Sequence, residues 1–332
     1  MDFNLNINLA SEAHHSINKP VRADIIYDHL VIGGGPGGLN AALYAKRKGL
    51  EVGIIAKGVG GQLVNTSLVE NYLGLNNYSG DSLMSAFRGH VSDLEIPITE
   101  GVEVTDIGKE EGLFVIRTDS DKVFRTKTLL LATGSEPRRL GIKGEKEFAG
   151  KGVAYCAICD APFFKNRDVI IAGGGNSAVE AAIDLAKVAT SVTIVHRSKF
   201  RADQILVDQL YTNEKITVHL ETQIEEILGE QFMTSIQVLD KHTGEKRIIQ
   251  ADGIFIEIGN LPNSGLFKDL VALNDQGEVI VNYKNETSVP GIFAAGDVTD
   301  GPYKQIIIAT SEGAKAALSA SEYINKQPIN RQ

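Results

Sequence analysis

The sequence predicts an α/β chain carrying two Rossmann-like dinucleotide-binding domains, one inserted in the other. Three observations predict it. Two glycine fingerprints each lie between an apolar run and a helix-periodic stretch. A strand-like run meeting glycine stands on either side of the second fingerprint, which marks an insertion. The length, 332 residues, is too great for one ordinary domain and comfortable for two.

Taken in order, residues 1–24 are polar and unpatterned, and read as a solvated N-terminal tail that includes His14 and His15. They lack the apolar stretch of a secretion signal. The first unit then reads as strand, turn and helix. Asp28-His29-Leu30-Val31-Ile32 leads into Gly33-Gly34-Gly35-Pro36-Gly37-Gly38, and Leu39 to Ala45 follows with helical spacing. Gly33 permits the turn, Gly35 lets the backbone approach a pyrophosphate, and Gly38 lets helix pack on strand. The free N–H groups that open the helix then face the phosphates. Glu51 to Ile55 reads as the next strand. Val123 to Leu131 is another, ending in Ala132-Thr133-Gly134-Ser135.

The second unit repeats this grammar. Val169 to Ala172 meets Gly173-Gly174-Gly175-Asn176-Ser177-Ala178, a helix pattern runs from Val179 to Leu185, and Ser191 to Val195 is the following strand. Ala178 stands where the last glycine would, which the pattern tolerates. A further strand, Ile254 to Ile258, ends at Gly259. Hinges are placed at these junctions. The expected organisation is a first, discontinuous domain over 25–134 and 260–332, with a second domain over 135–259 inserted in it. Two fingerprints imply two nucleotides, read as FAD on the first domain and a pyridine nucleotide on the second.

Composition narrows the function. A net charge of −9 argues against a nucleic-acid surface, and no apolar run is long enough to span a membrane. The two cysteines of the chain stand three apart, Cys156-Ala157-Ile158-Cys159. No second pair completes a zinc cage, so no metal is expected, and a lone CxxC reads as a dithiol that opens and closes. A CxxC that opens a helix lowers the thiol pKa and so favours the attacking thiolate.

These residues resemble the low-molecular-weight thioredoxin reductases and the related C-terminal part of the alkyl hydroperoxide reductase flavoprotein. The resemblance runs from about Tyr27 to Ile324. It is carried by the Gly33–Gly38 fingerprint, Gly60-Gly61-Gln62-Leu63, Val69-Glu70-Asn71-Tyr72, Ala132-Thr133-Gly134, Cys156-Ala157-Ile158-Cys159-Asp160, Phe293-Ala294-Ala295-Gly296-Asp297 and Tyr303-Lys304-Gln305. It implies that Gly33, Gly35, Pro36, Gly37 and Gly38 line the FAD pyrophosphate. Gly61, Gln62, Leu63, Asn71, Lys304 and Gln305 then lie towards the flavin, with Thr133, Gly134, Gly296 and Asp297 completing the FAD site. It also implies that Cys159 faces the flavin, Cys156 attacks the partner's disulfide, and Asp160 is the acid/base. The inserted domain would rotate to serve both tasks.

Two departures matter. The first unit has no acid at the end of its second strand, where Ile55-Ala56-Lys57-Gly58 stands, so the ribose contact is unassigned. In the second unit the strand runs into Val195-His196-Arg197-Ser198-Lys199-Phe200-Arg201, with no acid and several cations. His196, Arg197 and Arg201 therefore join Gly173, Gly175, Asn176 and Ser177 as expected nucleotide contacts, and NADPH is favoured over NADH. Ser198 and a shortening by one residue depart from the thioredoxin reductase pattern. The segments around Asn176, Asp203 and Ile306 lean to the NADH-linked relative.

The expected acceptor is a separate thioredoxin or glutaredoxin-like carrier protein, since only a short segment precedes the first strand. A peroxiredoxin-system reductase, a ferredoxin-driven reductase and a dithiol oxidase are the alternatives on the same scaffold. The resemblance further implies a cytoplasmic homodimer, with no nucleic acid and no membrane as partner.

Overall fold

The computed structural model describes residues 19–66, 68–75 and 78–327. His14, His15 and most of the expected tail lie outside them. Residues 19–22 are tied to the fold at two points: Val21 is buried, its N–H donating to Thr99 Oγ1 at 2.9 Å, and Lys19 O accepts from Ile98 N–H. One apolar residue in a polar stretch leaves no period to read, so only the packing shows that this segment is ordered.

The chain divides into two compact units, one formed by residues up to Ser135 and from Pro262 on, the other by Glu136–Leu261. The first contains β1 (Ile26–Gly34), α1 (Pro36–Arg47), β2 (Val52–Val59), α2 (Gly80–Asp93), β3 (Ile98–Glu100), β4 (Val104–Glu110), β5 (Leu113–Thr118) and β6 (Val123–Leu131). The short strands β7 (Ser135–Pro137) and β16 (Asn260–Pro262) lie where the chain crosses between units, and β17 (Ile292–Ala294) and α6 (Ile306–Lys326) complete the first. The second holds β8 (Val153–Ala154), α3 (Ala157–Asp160), β9 (Asp168–Ala172), α4 (Asn176–Leu185), β10 (Ser191–Val195), α5 (Gln204–Tyr211), β11 (Ile216–His219), β12 (Thr222–Gly229), β13 (Met233–Asp240), β14 (Lys246–Gln250) and β15 (Gly253–Ile256).

In the first unit the sheet order is β3-β2-β1-β6-β5-β4, with β17 also pairing β6. β1 runs parallel to both neighbours, so Val31 stands opposite Ile54 on one side and Leu130 on the other. Leu30 and Val31 are fully buried, as a parallel strand covered on both faces requires. One face packs on α1, α2 and α6, and the other carries a separate core around Phe114, Phe124 and Phe267. α6 lies directly on α1, where a Cβ at Gly313 would sit 2.0 Å from Gly37 O. β2 runs through Val59, beyond the expected end at Ile55.

The second unit is a parallel sheet in the order β11-β10-β9-β15-β8. Its alanine-rich α4 packs on one face through Ala178, Val179, Ala182 and Leu185. An antiparallel sheet, β12-β13-β14, supplies Ile224, Ile227, Ile236 and Val238 to the core on the other. Among the described residues no helix is long and apolar enough to cross a membrane, and no cluster of three or more ligating side chains could hold a metal ion.

Candidate active site

In the first unit, β1 delivers the glycine loop to the carboxyl edge of the sheet, where ligands of open α/β sheets bind. Gly33 has φ +118°, and a Cβ there would lie 2.1 Å from Ala132 O. Both facts demand glycine. Gly38 is equally tight, its would-be Cβ 2.1 Å from Gly33 O, so α1 packs hard against β1. A Cβ on Gly35, in contrast, would meet no atom within 4 Å. Pro36 occupies the first helical position, Gly35 caps α1 without a side chain, and the first turn holds no acid. Free N–H groups therefore face open space, which fits the pyrophosphate of a dinucleotide.

Other expected residues converge on this loop. Gly60 N–H donates to Gly34 O, and a Cβ at Gly61 would lie 3.5 Å from Gly35 Cα. Ala309 is the neighbour of both Gly37 and Gly296, which brings the Gly296-Asp297 segment alongside. Burial raises the pKa of the Asp297 carboxyl. Asn71 Nδ2 donates to Gln305 Oε1 at 3.1 Å, joining two segments far apart in sequence. Gln62 Nε2 donates to Ser135 O at 2.5 Å. Thr133 Oγ1 donates to Asn263 O, and Asn263 returns a bond to Thr133 O beside Gly134. Leu63 has its side chain in the core, so it offers backbone alone. Lys304 is committed to Thr299 O and to Glu278, which makes it an anchor of its loop.

Three carboxylates in this unit escaped the sequence reading. Glu312 accepts from Gly296 N–H at 2.7 Å. Glu278 pairs with Lys304. Glu100, on β3, accepts from Val59 N–H at 3.0 Å and from Arg88. Val59 lies opposite Gly34 in the sheet, so the acid at the end of β2 comes from the next strand. Lys57 turns outward to Glu103. No local pattern could have found Glu100, because the strand pairing alone brings it there.

In the second unit the loop is built differently. A Cβ at Gly173 would lie 2.2 Å from Glu257 O and 2.7 Å from Ala178 Cβ. Gly174 is roofed by His196, whose ring would be 2.4 Å from a Cβ there. His196 is buried and faces Ser198 Oγ at 3.0 Å; burial, with Arg201 and Arg197, lowers its pKa. His196 therefore packs the loop. Arg197 and Arg201 are exposed, and Arg201 N–H donates to Gly174 O. Asn176 exchanges two hydrogen bonds with Asp203, tying the start of α4 to this basic segment. Gly175 faces open space and precedes an α4 with neither cap side chain nor acid in its first turn. Ser177, one residue further on, lies in that first turn.

Cys156 and Cys159 are joined in a disulfide, with their Cα atoms 5.3 Å apart. The helix that Cys156 caps, α3, is a single turn, and its Cys159 N–H donates to Cys156 Sγ at 3.2 Å. One turn carries little macrodipole, so the direct N–H contact is what favours a thiolate at Cys156. The turn is held from both ends. Phe164 packs edge-on against Phe255 at 4.9 Å, and Glu257 Oε1 accepts from Ala157 N–H at 3.1 Å. Burial pushes the Asp160 carboxyl up to about 6 and that of Glu257 up to about 7. Glu257 was not anticipated. It sits about a hundred residues from the cysteines, beyond any spacing rule.

The sequence profile described as pyridine nucleotide-disulphide oxidoreductase matches residues 27–313. The chain belongs to this family. An alkyl hydroperoxide reductase protein of Staphylococcus aureus is 43% identical over 299 residues, covering 90% of this chain and 59% of that protein. The chain thus spans about three fifths of the length of these relatives. Among solved structures, thioredoxin reductase from Streptococcus pyogenes aligns with a TM-score of 0.86 at 36% identity, covering 91% of this chain and 99% of the other. Thioredoxin reductase from Giardia duodenalis gives 0.85 at 31%, covering 90% and 99%. The family's two dinucleotide folds correspond to the two sheets built around parallel strands described above, and its description names a pyridine nucleotide and a disulphide.

Proposed function

We propose that the protein is a flavin-dependent disulfide reductase. It takes electrons from NADPH in preference to NADH and delivers them through Cys156 and Cys159 to the disulfide of a thioredoxin or glutaredoxin-like carrier. The observation that carries this reading is the closed Cys156–Cys159 pair, held by Glu257 beside the second glycine loop. FAD, when bound, supplies a two-electron relay between nicotinamide and disulfide. Gly33, Gly35, Pro36, Gly37, Gly38, Gly61, Thr133, Gly134, Gly296 and Asp297 would hold it, with Glu100 as the added candidate for a ribose hydroxyl. Gly173, Gly175, Asn176, Ser177, Arg197 and Arg201 would hold the pyridine nucleotide. Cys156 attacks the carrier's disulfide, Cys159 resolves the mixed disulfide, and Asp160 exchanges the proton. The reading includes a cytoplasmic homodimer, on the resemblance alone.

A second reading has one observation in its favour. The alkyl hydroperoxide reductase relatives reach 43% identity, against 36% for the Streptococcus pyogenes enzyme, which supports an NADH-linked reductase of a peroxiredoxin system. An anaerobic titration decides between them. NADPH should bleach the flavin absorbance at lower concentration than NADH, and oxidised thioredoxin should restore it. Bleaching by NADH alone, with no response to thioredoxin, selects the second reading.

A further inference from the structure

We propose that Glu257 is a positioning residue of the dithiol whose protonation is linked to the redox state of the sulfurs. When the Cys156–Cys159 bond opens, Glu257 takes up a proton that offsets the thiolate formed. The inference rests on the reductase reading for the physiological source of electrons, and concerns a residue that reading does not use.

The geometry ties Glu257 to both the sheet and the dithiol turn. Its backbone is fixed, because Glu257 N–H donates to Ala172 O at 2.8 Å and Glu257 O lies against Gly173. Its side chain crosses to the dithiol turn and accepts from Ala157 N–H, the peptide that directly follows Cys156. Within the same turn Cys159 N–H donates to Cys156 Sγ. Carboxylate and sulfur thus draw on the N–H groups of one short turn. The influences on the Glu257 proton are burial, which raises its pKa, and the Ala157 N–H, which lowers it; no charged side chain takes part. Asp160 is the other titratable group on this turn, and its pKa too is raised by burial. The glycine loop against Glu257 adds no ionisable group at Gly173, Gly174 or Gly175. Beyond it stand His196, over Gly174, and Arg201, whose N–H binds Gly174 O.

A partly buried carboxyl poised near neutrality responds to a new negative charge nearby by binding a proton more tightly. Reduction supplies that charge. The S–S bond breaks and accepts two electrons, one sulfur takes a proton and becomes a thiol, and the other remains a thiolate. A second proton from solvent settles on Glu257, so two electrons enter with two protons. When the thiolate attacks a carrier disulfide, its charge passes to the departing sulfur of the carrier and Glu257 releases its proton. The amide of a glutamine would keep the contact with Ala157 N–H but could not titrate.

The test uses full-length protein reduced with dithiothreitol, so it stands apart from any failure of NADPH or NADH to reduce the disulfide. After removal of the reductant, Cys156 alkylation by iodoacetamide is followed by mass spectrometry between about pH 5 and 10 for wild type, E257Q and D160N. Wild type and D160N should show an inflection near neutrality in addition to that of the thiol. In E257Q this inflection should vanish, leaving that of the thiol alone. Superimposable profiles for wild type and E257Q overturn the proposal. Should E257Q fail to fold, the infrared difference spectrum of D160N on reduction decides: a protonated-carboxyl band gained on reduction supports the proposal, and its absence overturns it.

Discussion

The two glycine loops share one pattern but differ in what completes them. In the first unit the loop is closed by backbone: Gly33 against Ala132, Gly38 against Gly33, and Gly37 against Ala309 and Gly313. In the second, Gly173 also meets backbone, at Glu257 O, but side chains add to the closure: Ala178 on Gly173, the His196 ring on Gly174, and the Asn176–Asp203 pair across the start of α4. Backbone contacts leave no freedom and suit a site that keeps one cofactor bound. Side-chain contacts are adjustable residue by residue and suit a site that selects among donors and releases them. The second loop also borders the redox chemistry, because Glu257 touches both Gly173 and the dithiol turn.

The largest expected effect separates the units completely. Cys156→Ser should abolish turnover with a carrier disulfide while the purified protein keeps its full flavin absorbance; residual turnover would place the chemistry elsewhere. Next comes Gly33→Ala, which combines a backbone clash with an unfavourable φ and should cost about 4 kcal/mol. Gly35→Ala fills open space instead. It should leave the melting temperature of flavin-free protein unchanged and weaken flavin binding about tenfold, as read by fluorescence titration. Equal melting losses in both variants would break the contrast.

A buried histidine of the first unit and two carboxyls of the second titrate with opposite sign. His29, fully buried in β1, bonds Thr128 Oγ1 through Nδ1 and leaves Nε2 without a partner. Burial holds its pKa down at about 4, below the 6.5 of a free histidine. The unfolded chain therefore binds the proton first. Stability from neutral His29 is intact above about pH 6.5 and is lost as pH falls towards 4, by about 3 kcal/mol in all. Asp160 and Glu257 are raised in the folded chain, so their contribution is full below the ordinary carboxyl range and is lost as pH rises through about 6 and 7. Urea denaturation across this range should show His29→Gln flattening the acid limb alone. The smallest effect concerns the donor: Arg201→Ala should raise KM for NADPH roughly tenfold and leave KM for NADH in place. A uniform rise would mean that Arg201 serves loop structure through Gly174.

Much of this architecture was legible because it is local. The strand over Val123–Leu131 and the helices after both fingerprints are read from runs and periods within a dozen residues, and the dithiol from a spacing of three. What escaped is non-local. Glu100 reaches the first loop through strand pairing, Glu312 through the packing of α6, and Glu257 through the neighbouring strand β15. His196 shows the reverse: its position is read as a phosphate contact, and its packing over Gly174 is what the sequence left unannounced. The length of α3 was likewise out of reach, since the sequence shows where a helix opens more clearly than where it stops.

The most direct test follows electrons into the sulfurs. Wild-type protein is reduced anaerobically with NADPH, quenched with an alkylating reagent, and Cys156 and Cys159 are examined by mass spectrometry. The account predicts that both cysteines carry the label in proportion to the flavin reduced. A bleached flavin beside an intact, unlabelled Cys156–Cys159 disulfide would contradict it.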